Sequence, residues 1–317
     1  MKTEQNCLYA AVQMVEITEE TSDQRLDNFL ITKLKGVPKS HIYRIVRKGE
    51  VRVNKGRVDV KYRLQSGDLV RIPPVRVNVV DDIIFVPKNL KQSLEQDILF
   101  EDDVLMVLNK PAGYAVHGGS GLNTAVIESL RQLRPDAHFL ELVHRLDRDT
   151  SGCLIIAKKR SALRTLHELF RGDGIKKSYL ALLSGVWEKK SMTVNAPLLK
   201  QTGQSGERMV IVSQEGKSSA TFFKAIKSLP DATWVEASPQ TGRTHQIRVH
   251  AAWLGHPIIG DDRYGDFEVN RGFKKRGIKR LFLHAFRLEF QHPVSGKPLT
   301  ITAPIPADMQ VWFDDKK

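Results

Sequence analysis

The chain has 317 residues, 41% of them hydrophobic, enough for two domains with proper cores. Its 49 Lys and Arg outnumber 36 Asp and Glu, a formal net charge of +13, and a polyanion is the economical partner because Lys and Arg contacts to phosphate drive nucleic-acid binding. Two cysteines, Cys7 and Cys153, argue against a disulfide framework or a cysteine-rich zinc site. The start MKTEQNCLYA lacks a secretory pattern, and no run approaches the ~18 apolar residues of a membrane span, so the expected compartment is the cytoplasm.

Residues 1–23 read as a tail. Residues 24–77 follow with 14 Lys and Arg against four acids, so they hold most of the net charge. Arg25 to Leu34 predicts a short helix with Leu26, Phe29 and Leu30 on its inner face. A second helix is expected after Ser40 as N-cap, ending at Gly49. Its apolar positions are Ile42, Ile45 and Val46, while Arg44, Arg47 and Lys48 share the outer face. VRVNKGRVDV alternates around Asn54-Lys55-Gly56 and predicts a hairpin, and GDLVRIP predicts a closing strand. A charged helix face is ordinarily just solvated. Here the cations recur at Arg52, Lys55, Arg57, Lys61 and Arg63, which favours a continuous basic surface. The strings RLDNFL, SHIYRIVRKGEVRVNKGRV and GDLVRIP resemble an S4-type RNA-binding domain. That resemblance implies two helices on a short β-element, contacting structured RNA.

Residues 78–97 are polar without a sustained period and read as a linker; residues 98–317 read as a larger mixed α/β region. In it, LNKPAGYAVHGGSG (residues 108–121) runs from a strand into a Gly-rich loop. It matches neither GxxxxGK[ST] nor GxGxxG, so a structural turn is the default. HRLDRDTSG (residues 144–152) sets Asp147 and Asp149 among Arg145 and Arg148. A carboxylate beside an arginine stays ionised and can act as nucleophile or base. By spacing alone, however, such a pair is ordinarily a salt bridge. KKSYLALLSG brings Tyr179 into an apolar strand, where a tyrosine is usually core but can stack on a base. In TGRTHQIRVHAAWLGHPIIGDDRYG (residues 241–265), Thr244 is expected to cap a short helix carrying Arg248. His245 and His250 are not at metal-pair spacing, and there is neither HExxH nor HxE with PCxxC, so no metal site is expected.

HRLDRDTSG, KxYLAL, GRTHQIRVH and LFLHAFRLEF, in that order, resemble the catalytic core of the RluA-type pseudouridine synthases, over about residue 98 to the C-terminus. The resemblance implies an α+β fold: an N-terminal S4-type domain plus a catalytic domain with a mixed, largely antiparallel sheet flanked by helices around a cleft. It implies that Asp147 is the catalytic carboxylate and that Arg145 fills the gap left by an extruded nucleotide. Tyr179 would stack on the flipped base and move a proton, Arg248 would keep Asp147 ionised, and Leu283 would line the uracil pocket. Asp149 falls to loop structure. The implied reaction turns uridine into pseudouridine without cofactor or metal. Asp147 would attack C1′, add to the base, or take a sugar proton. The implied partner is large-subunit ribosomal RNA, free or in an assembling particle. No membrane and no obligatory protein partner is expected, and a monomer is the simplest state. Two other readings remain at this point: a non-catalytic RNA-binding assembly factor and a metal-dependent RNA hydrolase.

Overall fold

A computed structural model describes residues 11–34, 37–75, 86–118, 124–202 and 208–314. The chain falls into two units, Met1–Ile83 and Ile84–Lys317. In the first, β1 (Gln13–Glu16), α1 (Leu26–Lys33), α2 (Lys39–Arg47), β2 (Arg52–Val53) and β3 (Leu69–Ile72) follow in order. The strands form an antiparallel sheet in the order β1-β3-β2. Leu26, Leu30, Ile42, Ile45 and Val46 of the two helices close over Val53, Val70 and Ile72. Buried Asp27 ties the helices together: it takes two hydrogen bonds from Arg25, at 3.0 and 2.6 Å, and one from the Tyr43 hydroxyl at 2.9 Å.

Four expectations change here. The stretch read as a tail contributes β1, which needs β3 as partner and so has no local signal. The helix cap is Pro38 rather than Ser40, with Gly49 in the left-handed region (φ 72°) after the helix end. The hairpin has only its turn, where Asn54 and Lys55 both take positive φ and Val53 bridges Gly56; residues 57–60 form no strand. Finally, the linker is helical over α3 (Lys88–Gln96), whose Leu90 and Leu94 are buried in the second unit's core. Residues 76–85, which include the expected linker's start at 78–85, lie outside the described residues, as do Cys7 and residues 119–121 of the Gly-rich loop.

The second unit continues with β4 (Ile98–Glu101), β5 (Leu105–Lys110), α4 (Val126–Leu133), β6 (Glu141–Leu142), β7 (Ser151–Ala157), α5 (Arg160–Arg171) and β8 (Ile175–Ser184). Then come β9 (Ser191–Asn195), β10 (Leu198–Thr202), β11 (Arg208–Val212), β12 (Ala220–Ser228), β13 (Ala232–Pro239) and α6 (Gln246–Trp253). The last elements are α7 (Phe267–Lys275), β14 (Leu283–Gln291), β15 (Pro298–Thr302) and α8 (Ala307–Asp314). Among the described residues the main sheet runs β4-β5-β7-β14-β8-β13-β12-β9, with β15 beside β14 and β6 beside β7. Among the described residues β7 and β14 are the one parallel pair, so the sheet is mixed and largely antiparallel. β10 and β11 form a separate ribbon.

The two-residue period of a strand sends alternate side chains to opposite faces. Met106, Leu108, Leu154 and Ile156 meet α3 and α4, whereas Leu105, Val107, Cys153 and Ile155 meet α5. In the other half of the sheet, Ala181, Leu183, Val235 and Ala237 pack on α6, and Leu180, Leu182 and Trp234 pack towards α7 and α8. Every residue of β7 is buried, which explains its apolar run CLIIA. Gly152 sits at φ 107°, and a Cβ there would lie 2.3 Å from the Ala285 carbonyl oxygen. Glycine is therefore what lets β7 lie against β14 at the join of the two half-sheets.

Two imidazoles are built into this core as neutral groups. His284 is fully buried and bonds Ser151 Oγ at 2.9 Å; His144 accepts from the Ile155 N–H at 3.0 Å and stacks on Phe170. Burial pushes both pKa values down to about 4. The unfolded chain binds those protons near pH 6.5 and the folded chain does not, so their contribution is complete above pH 6.5 and is lost as pH falls towards 4. Each tenfold loss of proton affinity corresponds to roughly 1.4 kcal/mol, so either imidazole can account for up to about 3 kcal/mol. All four tryptophans lie in the second unit, so their fluorescence reports its unfolding. We expect its melting temperature to drop steadily from pH 7 to 4.5 and His284→Gln to flatten that slope; a melting temperature flat across this range would contradict neutral burial.

Candidate functional site

The GRTHQIR string folds around its glutamine. Gln246 Oε1 accepts from the Thr241 hydroxyl at 2.6 Å and the Arg243 N–H at 3.0 Å, while its Nε2 donates to the Ala220 carbonyl at 2.9 Å. This fastens the start of α6 to the first residue of β12. The cap position belongs to His245, in the left-handed region at φ 53°, and not to Thr244 as the sequence predicts.

Arg248 follows on the first turn of α6. Its Nε and Nη2 donate to the two carboxylate oxygens of Asp261, at 2.7 Å each, and its Nη1 donates to Asp147 Oδ2 at 3.2 Å. The Asp261 side chain is 0% exposed, that of Arg248 11% and that of Asp147 18%, so accessibility rises along the relay towards Asp147. Asp261 Oδ1 also takes the backbone N–H groups of Arg263 and Tyr264, both at 3.0 Å. Burial alone would raise the Asp261 pKa, but Arg248 and these N–H groups hold it below the ordinary carboxylate value. Burial would likewise lower the Arg248 pKa, and the two carboxylates hold it above the usual guanidinium value.

Tyr264 adds a second tie. Its ring lies under the Arg248 guanidinium at 5.1 Å, and its hydroxyl takes the Val210 N–H at 3.2 Å and bonds His245 Nδ1 at 2.7 Å. His245 Nε2 stands 3.7 Å from Asp147 Oδ1. Burial keeps this imidazole below its ordinary pKa. The arrangement without facing lone pairs has Tyr264 donating to Nδ1 and an Nε2–H turned to the carboxylate. Asp147 thus faces Arg248 on one oxygen and His245 on the other.

The loop carrying Asp147 is held from below by Lys110 at the end of β5. This lysine is 1% exposed, and its ammonium donates to the carbonyls of Pro111 and Tyr114 at 2.8 Å and of Arg148 at 3.0 Å. Burial pushes its pKa down to about 7. The Asp147 carbonyl accepts from the Thr150 N–H at 3.2 Å, closing the turn. Asp149 pairs with its neighbour Arg148 at 3.2 Å, a loop contact.

Tyr179 lies on β8 between Ala237 of β13 and Ala285 of β14, and Leu283 on β14 is opposite Ala181. Both pack in the apolar cluster that includes Ile247 of α6. Burial, and then the charge of Asp147, push the Tyr179 phenol above its ordinary pKa. Arg145 is exposed beside the loop and has no partner among the described residues. Asp147, Arg248, Tyr179 and Leu283 are therefore brought together from four parts of the sequence. The set amounts to one carboxylate oriented from both sides, a protonated phenol and an apolar wall, suited to attack or proton removal beside a flat ring. Among the described residues no group of three or more His, Cys, Asp and Glu is placed to hold a metal ion.

Sequence reasoning missed Asp261, Tyr264 and the role of His245. The signal for the first two was GDDRYG, close behind GRTHQIR but without motif-level meaning on its own. In the first unit, Arg44, Arg47, Lys48, Arg52, Lys55 and Arg57 are all exposed. A cavity of about 430 Å³ gathers Arg52 and Lys55 with Met14, Gly49 and Arg71, the last a cation not expected there.

Comparison with known proteins places the site in context. The family description "RNA pseudouridylate synthase" matches residues 104–253, and "S4 domain" matches residues 24–70. The chain is 56% identical over 310 residues to ribosomal large subunit pseudouridine synthase C of Pasteurella multocida, covering 98% of this chain and 95% of that one. It is 58% identical over 308 residues to the protein of the same name from Escherichia coli strain K12, covering 96% and 95%. Among solved structures, human RNA pseudouridylate synthase domain containing 4 superposes with a TM-score of 0.57 at 27% identity, covering 69% of this chain and 92% of that one.

The relay has an unequal energetic signature. Removing Asp261 leaves a buried guanidinium short of its main partner, which ordinarily costs ~3–5 kcal/mol, whereas Asp147 is partly exposed and its loss costs about 1 kcal/mol or less. Urea unfolding followed by tryptophan fluorescence should therefore show Asp261→Ala far less stable than Asp147→Ala. Equal losses would contradict this hierarchy.

Proposed function

The chain belongs to the RluA-type RNA pseudouridylate synthases, and from that membership we propose that it isomerises uridine to pseudouridine in large-subunit ribosomal RNA with Asp147 as the reacting carboxylate. The observation that carries the assignment to Asp147 is its position: the exposed end of the Asp261–Arg248–Asp147 relay, beside Tyr179 and Leu283. The reaction breaks the N1–C1′ bond, turns the uracil and rejoins it through C5; C5 gives up its proton and N1, freed from the sugar, ends protonated. Atoms and oxidation state balance without a second substrate. Attack at C1′, addition to the base and removal of a sugar proton each need one oriented carboxylate.

The target must leave its stack, at a cost of a few kcal/mol, which stacking on the Tyr179 ring partly offsets. As a protonated phenol, Tyr179 also supplies a hydrogen bond to the base. Leu283 closes the apolar side of the uracil pocket, and exposed Arg145 occupies the space the nucleotide leaves. Arg44, Arg47, Lys48, Arg52, Lys55 and Arg57 of the S4 unit hold the RNA through its phosphates. We read the protein as a monomeric cytoplasmic enzyme without an obligatory protein partner.

Undermodified large-subunit rRNA is the substrate for the test. Wild-type protein should form pseudouridine at discrete positions, mapped chemically, and Asp147→Asn should form none while binding the RNA as well. No product from wild type, or equal product from the variant, overturns the assignment. Replacing Arg44, Arg47 and Lys48 together with Gln should lower the slope of log affinity against log salt by about 2 to 3, at ~0.7–0.9 per phosphate contact. An unchanged slope would remove α2 from the RNA interface.

A further inference from the structure

A second basic surface lies on the catalytic unit, away from the motifs. Between Arg271 and Arg280 the chain has six Lys and Arg and no acid. Three of these cations already have partners: exposed Arg271 pairs with exposed Glu268 three residues before it at 2.5 Å, and two more are committed to packing. The Arg276 guanidinium lies 4.6 Å from the rings of both Phe273 and Trp312 and pairs with Asp231, and Arg280 pairs with Asp308 at 2.6 Å. Lys274, Lys275 and Lys279 are exposed and have no ion-pair partner among the described residues.

The helix α7 arranges the remainder. Phe267, Arg271, Lys274 and Lys275 are spaced i, i+4, i+7 and i+8, which puts them on one face. The opposite face carries Phe273, 4% exposed, into the core with Val269. Phe267 is 76% exposed, more than any other large hydrophobic residue described. Lysines in a last helical turn are sufficiently explained by the helix dipole. A bare phenylalanine in the first turn of the same face is not.

The helix is also tied to the relay. Asp266 caps the helix by accepting the Val269 N–H at 2.9 Å. Asn270 accepts the Gly260 N–H at 2.8 Å and donates to the Asp261 carbonyl at 3.0 Å, so α7 is fastened to the loop that holds Arg248. A flat exposed ring beside exposed cations fits single-stranded nucleic acid, with a base on the ring and phosphates on the cations.

We propose that α7 is an RNA-contact element of the catalytic unit, in which Phe267 stacks on an unpaired base near the target uridine and Arg271, Lys274 and Lys275 contact the neighbouring phosphates. This rests on the RNA-substrate reading above. It assigns α7 a grip on the modified segment itself, separate from the S4 unit's hold.

The test uses the full-length protein, undermodified large-subunit rRNA and two variants, Phe267→Ala and the pair Lys274→Gln with Lys275→Gln. The lysine pair should lower affinity about tenfold near physiological salt and reduce the log–log salt slope by about 1.4 to 1.8. Phe267→Ala should lower affinity about tenfold with the slope unchanged, since stacking carries no counterion release. Both should reach the wild-type single-turnover rate at saturating RNA, and Arg at both lysine positions should restore the slope. Active wild type with variants of unaltered affinity and slope overturns the role of α7 alone, and leaves the face to a protein partner. Wild type that forms no pseudouridine overturns the functional reading and this proposal with it.

Discussion

A single guanidinium shared between two carboxylates is the constraint on which the site depends. Arg248 gives one edge, Nε and Nη2, to Asp261 and keeps Nη1 for Asp147. Asp261 is sealed from solvent and fixed by two backbone N–H groups, so the guanidinium has one orientation available. A buried pair of this kind contributes little net stability, because desolvation offsets much of its attraction. What it supplies is direction. Asp147 meets a donor already in place, so the site has little reorganisation left when charge develops on a bound nucleotide.

The sheet is arranged to bring that relay together. Gly152 lets β7 close on β14, and the loop before β7 then projects Asp147 at the join of the half-sheets. Lys110 anchors that loop from β5 through three carbonyls, and Gln246 anchors α6 to β12. Tyr264 connects Arg248, His245 and the β10–β11 ribbon through one side chain. Four segments distant in sequence thus fix one carboxylate. That explains why HRLDRDTSG and GRTHQIR contain so many residues that do not themselves reach the exposed end of the relay.

Much of this could be read from the chain. The apolar runs VLMVLN, CLIIAKK, YLALLSG and LFLHAFRLEF are the strands at the centre of the sheet, where burial on both faces removes the need for polar alternation. The candidate residues Asp147, Tyr179 and Arg248, which the fold brings together, are singled out in the sequence by long ordered motifs. Asp261 was not, because an Asp that follows a helix by a loop has no periodic relation to the Arg it serves. β1 was hidden because a four-residue strand is defined by its partner β3 rather than by its own pattern. The helix α3 was masked by its polar residues, although Leu90 and Leu94 stand one turn apart on its buried face. His245 misled in another way: a left-handed residue at a helix start is visible only in backbone angles.

The coupling of Asp261 to Asp147 through Arg248 is open to direct measurement by a double-mutant cycle. Single-turnover pseudouridine formation would be measured for Asp261→Asn, Arg248→Lys and the double variant at saturating RNA. If Asp261 acts only by aiming Arg248, the double variant is no slower than the slower single variant. Losses that multiply would mean that the two residues act independently, and would contradict the relay.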